Sequence, residues 1–493
     1  MTRPNIKQGS FVAGKWYMPE SDRQVKVVNP ANPSETIFDF PAASEKDATQ
    51  AIDVAAEAFE TWKNVPSIQR GRIIWRAAEI ARRRLEEIAH IMSLEEGKII
   101  RESRGEALKG ISLLEYYAGE GFRMRGETLP SEVSDVHAYT IRRPLGVVGL
   151  ITPWNFPWAI PVWKIAPALV AGNTVVFKPA ELTPGTASIF VEILEEAGLP
   201  AGVLNMLVGS GRTVGEAIIQ DPRIKAISFT GSNGVGMHIN EVAAKRGARV
   251  TLEMGGKNAV IVMEDADLDA AASAIASGAF GATGQRCTAT SRVIAMPQIQ
   301  EELLERVVAK AKAMKMGAGL DESTDLAPAV DSRQFDTDLK YIDIAKADGA
   351  KLIYGGNKVD INGGYFVEPT IFANVSPDMR IFQEEVFGPV LSIYKAKSFE
   401  DAVRAANSVQ YGLASAIFTQ DNNRIMRFIE DIEVGMVHVN EPTIGGEAQL
   451  PFGGSKATGV GPREMGEEGI NFFTEIKTVF INYSGSGAQA SIR

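Results

Sequence analysis

Residues 147–178 read VVGLITPWNFPWAIPVWKIAPALVAGNTVVFK. Each end is a short, apolar, β-rich run. The stretch between them, WAIPVWKIAPALVAG, is a helical segment that closes on glycine. Two strands joined by so long a connection lie parallel, because an antiparallel pair needs only a tight turn. The alternation continues through GVLNMLVG, IKAISFTG and RVTLEMGG, with PGTASIFVEILEEAG, RTVGEAIIQ and GVGMHINEVAAKRG in the gaps. It predicts an α/β fold whose first unit is a doubly wound, Rossmann-like parallel sheet with helices on both faces.

Upstream, from about Ala43 to Gly119, apolar residues recur three and four apart, as in a helical run. Downstream, NAVIVM, LDAAASAIASGAF, SRVIAMP and IQEELLERVVAKAKAM predict a second α/β series, with the division near Gly255-Gly256. FRMRGETLPSEVSDVHAYTIRRPLG and NFFTEIKTVFINY are β-rich arms outside both series. They are either strands given to a neighbouring subunit or hairpins packed on their own. Low complexity is confined to the tail SGSGAQAS.

A chain of 493 residues is too long for one ordinary core, and 45% hydrophobic with 23% charged residues is a globular balance. A net charge of −10 with scattered lysines and arginines argues against nucleic acid as a partner. The N-terminus lacks the apolar core of a signal peptide, and no stretch approaches a membrane span, so a soluble cytoplasmic protein is expected. The four histidines are widely separated, and no metal site is expected.

Cys287, in GATGQRCTATSR, is the only cysteine. It is either a small buried hydrophobe or a reactive thiol. In a doubly wound sheet the ligand meets the residues just after each strand. These are Thr152-Pro153-Trp154-Asn155, Lys178-Pro179-Ala180-Glu181, Gly209-Ser210-Gly211, Thr230-Gly231-Ser232 and Glu253-Met254-Gly255-Gly256. FTGSNGVG would let amides at a helix start approach a pyrophosphate, though a Gly-Ser turn is commonplace. Glu181 matches the acidic residue that holds ribose hydroxyls, with Lys178 beside it; the alternative is a surface ion pair.

ITPWNFP, TVVFKPAE, FTGS, LEMGGKN, GQRC, EEVFGP and PFGGSKATG together resemble, in order and spacing, the motifs of the aldehyde dehydrogenase superfamily. The resemblance implies an NAD(P)-binding domain from residues 1–122 and 145–255 and an α/β catalytic domain from 256–456. A β-rich oligomerisation arm and C-terminal segment, 123–144 and 457–493, would make a homodimer or homotetramer. It casts Cys287 as nucleophile, Asn155 as oxyanion donor, Glu253 as the base that activates water and Lys178 as a ribose ligand within the catalytic set. Thr152, Trp154, Lys178, Glu181, Gly211, Gly231, Ser232, Glu385 and Phe387 would bind the cofactor, NAD with NADP also open.

Enzymes that pass the acyl group to coenzyme A generally lack the glutamate at the Glu253 position, so release of a free acid is implied. Trp158, Ile160, Trp163, Arg286, Thr288 and Phe452 would line the tunnel for a small-molecule aldehyde. Arg286 either attracts a substrate carboxylate or turns away into an ion pair. Within the family, GQRCTATSR and PFGGSKATGVGPREMG look most like the branch that oxidises α-ketoglutaric semialdehyde, while TGQRCTA is shared with other semialdehyde and glyceraldehyde-type enzymes. A cysteine hydrolase would need a histidine to activate the thiol. A binding protein that kept only the fold would not need Asn155, Glu253, Cys287 and Glu385 together.

Overall fold

A computed structural model describes residues 6–485, so of the low-complexity tail only Ser484 and Gly485 fall within it. The helical run forms α1 (Glu45–Trp62), α2 (Ser67–Arg83), α3 (Leu85–Glu96) and α4 (Ile100–Arg123). Ser44 starts α1 with a reciprocal cap: its Oγ accepts from Asp47 N at 3.2 Å, and Asp47 Oδ2 accepts from Ser44 N at 2.7 Å. Gly97 ends α3 in the left-handed region at φ +91°.

The first sheet carries five parallel strands, in spatial order Leu204–Met206, Thr174–Lys178, Val147–Ile151, Ile224–Thr230 and Arg249–Glu253. Val147–Ile151 and Thr174–Lys178 are buried throughout, as strands covered on both faces must be. Their crossover is α5 (Ala159–Ala171), and α6 (Pro184–Glu196) follows Thr174–Lys178. The chain winds outward from Val147–Ile151 on one side and returns to its other side at Ile224–Thr230. The order therefore switches between those two strands, where a doubly wound sheet opens a crevice.

The second sheet holds six parallel strands: Thr370–Ala373, Val390–Lys395, Thr290–Ala295, Asn258–Val262, Ala414–Phe418 and Met436–Val439. It has its own apolar core, separate from those on either face of the first sheet. The two β-rich arms pair with one another. Thr474–Asn482 runs antiparallel to Val136–Pro144, with Thr128–Leu129 on the outer edge, in a sheet of their own.

Part of the C-terminal segment lies outside that arm sheet. Gly459–Val460 pairs antiparallel with Arg249–Glu253, and helix Gly466–Phe472 packs on α5. The edge of Arg249–Glu253 would otherwise expose unpaired backbone groups, and the returning chain covers it. Among the described residues no helix is long and apolar enough to cross a membrane.

Candidate active site

The segment bearing Cys287 leaves helix Leu268–Phe280 through three consecutive left-handed residues, Ala282 (φ 48°), Thr283 (φ 58°) and Gly284 (φ 69°). Two of the three carry side chains that disfavour this region, so the turn must be held from outside. Glu102 of α4 accepts from Ala282 N at 2.8 Å, and Thr283 Oγ1 donates to Ala327 O at 2.9 Å. Beyond the turn, Asn258 Nδ2 donates to Cys287 O at 2.8 Å. Gly256 passes so close that a Cβ there would lie 2.4 Å from the same oxygen. The glycine pair after Glu253 thus lets the two units meet at the thiol.

Two cavities converge on Cys287 and Asn155, which contribute to the walls of both. One, of about 250 Å³, lies at the switch point and is lined by Trp154, Thr230, Gly231, Ser232, Gln334, Glu385 and Phe387 among others. The other, of about 430 Å³, runs between α4, α5 and the loop around Gly445-Gly446. Asn155 is buried; its Nδ2 donates to Gln285 O at 3.0 Å, and its carbonyl accepts from Lys98 Nζ at 2.8 Å. Lys98 is itself fully buried against Glu106, whose other oxygen accepts from Trp158 N and Ala159 N at the start of α5.

The switch-point cavity and the strand ends beside it offer the free polar groups that a dinucleotide would use. Thr230 Oγ1 in its wall and Thr152 Oγ1 at the neighbouring strand end are buried with no hydrogen-bond partner. Ser232 begins helix Asn233–Arg246 without using its side chain as a cap, and Gly211 opens onto free space. Trp154 and Phe387 meet edge to face at 5.5 Å, and Phe387 holds φ at +63°. Glu385 Oε1 accepts from Gly256 N at 2.8 Å, and burial raises its carboxyl to about 7.

Lys178 Nζ donates to Pro179 O at 2.8 Å and Gly209 O at 3.3 Å, and burial brings its ammonium down to about 8, with Glu181 opposing. Glu181 does take the ion pair that the sequence left open: Arg23 Nη2 lies 2.5 Å from it. Arg23 was not legible as a site residue, being one charge in an unremarkable hairpin.

Ile160, Trp163, Thr288, Phe452 and Arg286 line the tunnel wall, with the Trp163 and Phe452 rings tilted against each other at 5.4 Å. Trp158 does not. It is fully buried against Gly110 of α4 and Phe190 of α6, because two residues along a helix turn a side chain by about 200°. Arg286 Nη2 pairs with Glu102 at 3.0 Å, leaving its Nε without a partner. Glu102, Glu106 and Lys109 also reach the tunnel, from one face of α4.

The thiol is held protonated at rest. Burial pushes Cys287 up to about 12, and the nearby Glu385 and Glu253 carboxylates add to the shift. Burial also raises Glu253 well above the carboxylate range; Glu464 adds to this, while Lys164 and Arg463 oppose it. The Glu253 carboxyl packs against Gly453, where a Cβ would lie 2.3 Å from its Oε1, and its Oε2 is buried without a partner. Beneath it lies a network that sequence reading missed. Lys164 is paired with Glu464, Ser228 Oγ donates to Glu464 at 2.7 Å, and Trp163 Nε1 donates to it at 2.8 Å.

The aldehyde dehydrogenase family model matches residues 16–479. An α-ketoglutaric semialdehyde dehydrogenase of Bacillus subtilis is 46% identical over 96% of this chain and 97% of its own length. A 2,5-dioxopentanoate dehydrogenase of Saccharolobus solfataricus is 43% identical, covering 96% and 99%. Among solved structures, betaine aldehyde dehydrogenase of Staphylococcus aureus in complex with NAD+ superposes with a TM-score of 0.96 at 33% identity, covering 99% of this chain and 97% of that one.

Proposed function

The chain belongs to the aldehyde dehydrogenase family, and from that premise we propose that it oxidises 2,5-dioxopentanoate to 2-oxoglutarate with NAD as electron acceptor. The observation that carries the reaction is the meeting of two cavities at one sulfur and one amide. The substrate rests on the two semialdehyde dehydrogenases, which match over nearly the whole chain.

The Cys287 thiol gives up its proton to solvent water and its sulfur adds to the aldehyde carbon, the carbonyl π pair moving onto oxygen to give a tetrahedral alkoxide. Asn155 Nδ2 and the Cys287 N–H donate to that oxygen as its charge develops. A nicotinamide bound in the switch-point cavity would supply the acceptor for the hydride. As hydride leaves the carbon, its oxygen regains the double bond and a thioester remains on Cys287. Glu253 takes a proton from water, which attacks the thioester carbon; the acid departs and the thiolate is restored. From its position against Gly453, Glu253 needs a side-chain rotation or one intervening water to do so.

Glu385 would hold the nicotinamide ribose and Phe387 would pack on the ring. Trp154, Gly231 and Ser232 would serve the pyrophosphate, with Thr152 and Gly211 at neighbouring strand ends. Lys178 and Glu181 would hold the adenosine ribose, and Arg23 beside Glu181 leaves NADP open as a second cofactor. The arm sheet, whose Ile476 and Phe480 are 59% and 70% exposed, would join copies of the chain into dimers or tetramers.

The test follows NADH and NADPH formation with 2,5-dioxopentanoate, glyceraldehyde and pentanal. A kcat/KM highest for 2,5-dioxopentanoate with NAD is expected. Preference for pentanal would overturn the substrate, and preference for NADPH formation would overturn the cofactor.

A further inference from the structure

Given the semialdehyde reading above, on which this inference rests, the substrate carries a carboxylate remote from the carbon that reacts. Something in the tunnel must compensate that charge, because an unpaired carboxylate moved out of water is strongly disfavoured. Four charged side chains reach the tunnel wall: Glu102, Glu106, Lys109 and Arg286. Two are already committed. Glu106 shares the buried Lys98 ammonium with Glu96, and Arg286 is paired with Glu102. Glu102 also holds the left-handed turn through Ala282 N, so drawing Arg286 away from it would disturb the segment that carries the nucleophile.

Lys109 differs. It stands seven residues after Glu102 on the same face of α4, and it makes no ion pair among the described residues. Its Nζ donates to Gly446 O at 2.5 Å, a backbone carbonyl that uses one of three protons and cancels no charge. The surrounding space is open. A Cβ at Gly105, Gly445 or Gly446 would meet nothing within 4 Å, and the last two hold φ at +114° and +156°.

We propose that Lys109 is the specificity-determining cation of the tunnel, binding the carboxylate of an anionic aldehyde while Cys287 holds the opposite end. Arg286 then serves to hold Glu102 and the nucleophile segment. Burial brings the Lys109 ammonium down to about 8, with Glu447 opposing. A bound carboxylate favours its charged form.

The test is the ratio of kcat/KM for 2,5-dioxopentanoate over pentanal, a neutral aldehyde of the same chain length. Lys109→Gln should lower that ratio about tenfold or more, mainly through KM for the anion, as expected for losing a hydrogen bond to a charged group. Lys109→Arg should restore much of it. A second measurement needs no variant. In the wild type the ratio should fall as pH rises past about 8, where Lys109 loses its proton. The groups facing it are Glu102 and Glu106 on its own helix, Arg286 on the nucleophile segment and Glu447 on the glycine loop. Ionisation of Cys287, Glu253 and Glu385 affects both aldehydes and cancels in the ratio.

A wild-type preference that survives Lys109→Gln and stays flat through pH 8 overturns the assignment while leaving the semialdehyde reading intact. A wild type with no preference for the anion overturns both.

Discussion

The two cavities that share Cys287 are built from different materials. The switch-point cavity is made of strand-end turns: backbone, glycines, hydroxyls and two aromatic rings. The tunnel is made mainly of side chains, from one face of α4, the start of α5, the nucleophile segment, the glycine loop at 444–446, Phe452 and Met465. Backbone turns are set by the sheet and tolerate little change, whereas helix faces can be re-lettered without moving the fold. On the proposed reading, the architecture fixes cofactor and chemistry, while α4 and the glycine loop select the aldehyde.

The largest effect should come at the seam, where both regions depend on the same residue. Asn155→Ala should lower kcat about 100- to 1,000-fold, the usual consequence of losing an oxyanion donor, with NAD affinity by fluorescence titration little changed. If kcat stays within a fewfold of wild type, Asn155 is only a turn residue. Gly105→Leu should separate the two regions. A leucine fits open space in the tunnel and favours the helix by up to about 1 kcal/mol, so the melting temperature should hold or rise while KM for the aldehyde rises. Weakened NAD binding in that variant would mean the cavities are not independent.

Alkylation of free enzyme by iodoacetamide sharpens the electrostatic side of the comparison. With the Cys287 thiol raised to about 12, the thiolate is scarce at neutral pH and grows about tenfold per pH unit. The alkylation rate should therefore still be climbing at pH 9; a plateau below about pH 8 would show a thiolate already formed. The smallest change is expected at the outer end of the switch-point cavity. Arg23→Ser removes an exposed ion pair with Glu181 and should alter the NADP to NAD affinity ratio only a fewfold.

The same contrast explains what was legible in the sequence. Each strand of the first sheet announces itself by an apolar run ending in glycine, proline or asparagine, so the strand-end residues could be named in order. Cys287 stood out by being alone. The tunnel was harder to read. Glu102, Glu106 and Lys109 lie in RESRGEALKG, where charges on an amphipathic helix look like an ordinary solvated face. Lys164 and Glu464 are 300 residues apart and meet only through packing of the C-terminal helix on α5. Trp158 was misplaced because proximity to Ile160 in sequence is not proximity on a helix surface.

The most direct test of the account is the acyl enzyme itself. Glu253→Gln mixed with 2,5-dioxopentanoate and NAD should release one burst of NADH per active site and then turn over slowly. Peptide mass analysis after acid quench should find the acyl group on the peptide containing Cys287. Full steady-state turnover by Glu253→Gln, or undiminished activity of Cys287→Ala, would contradict it.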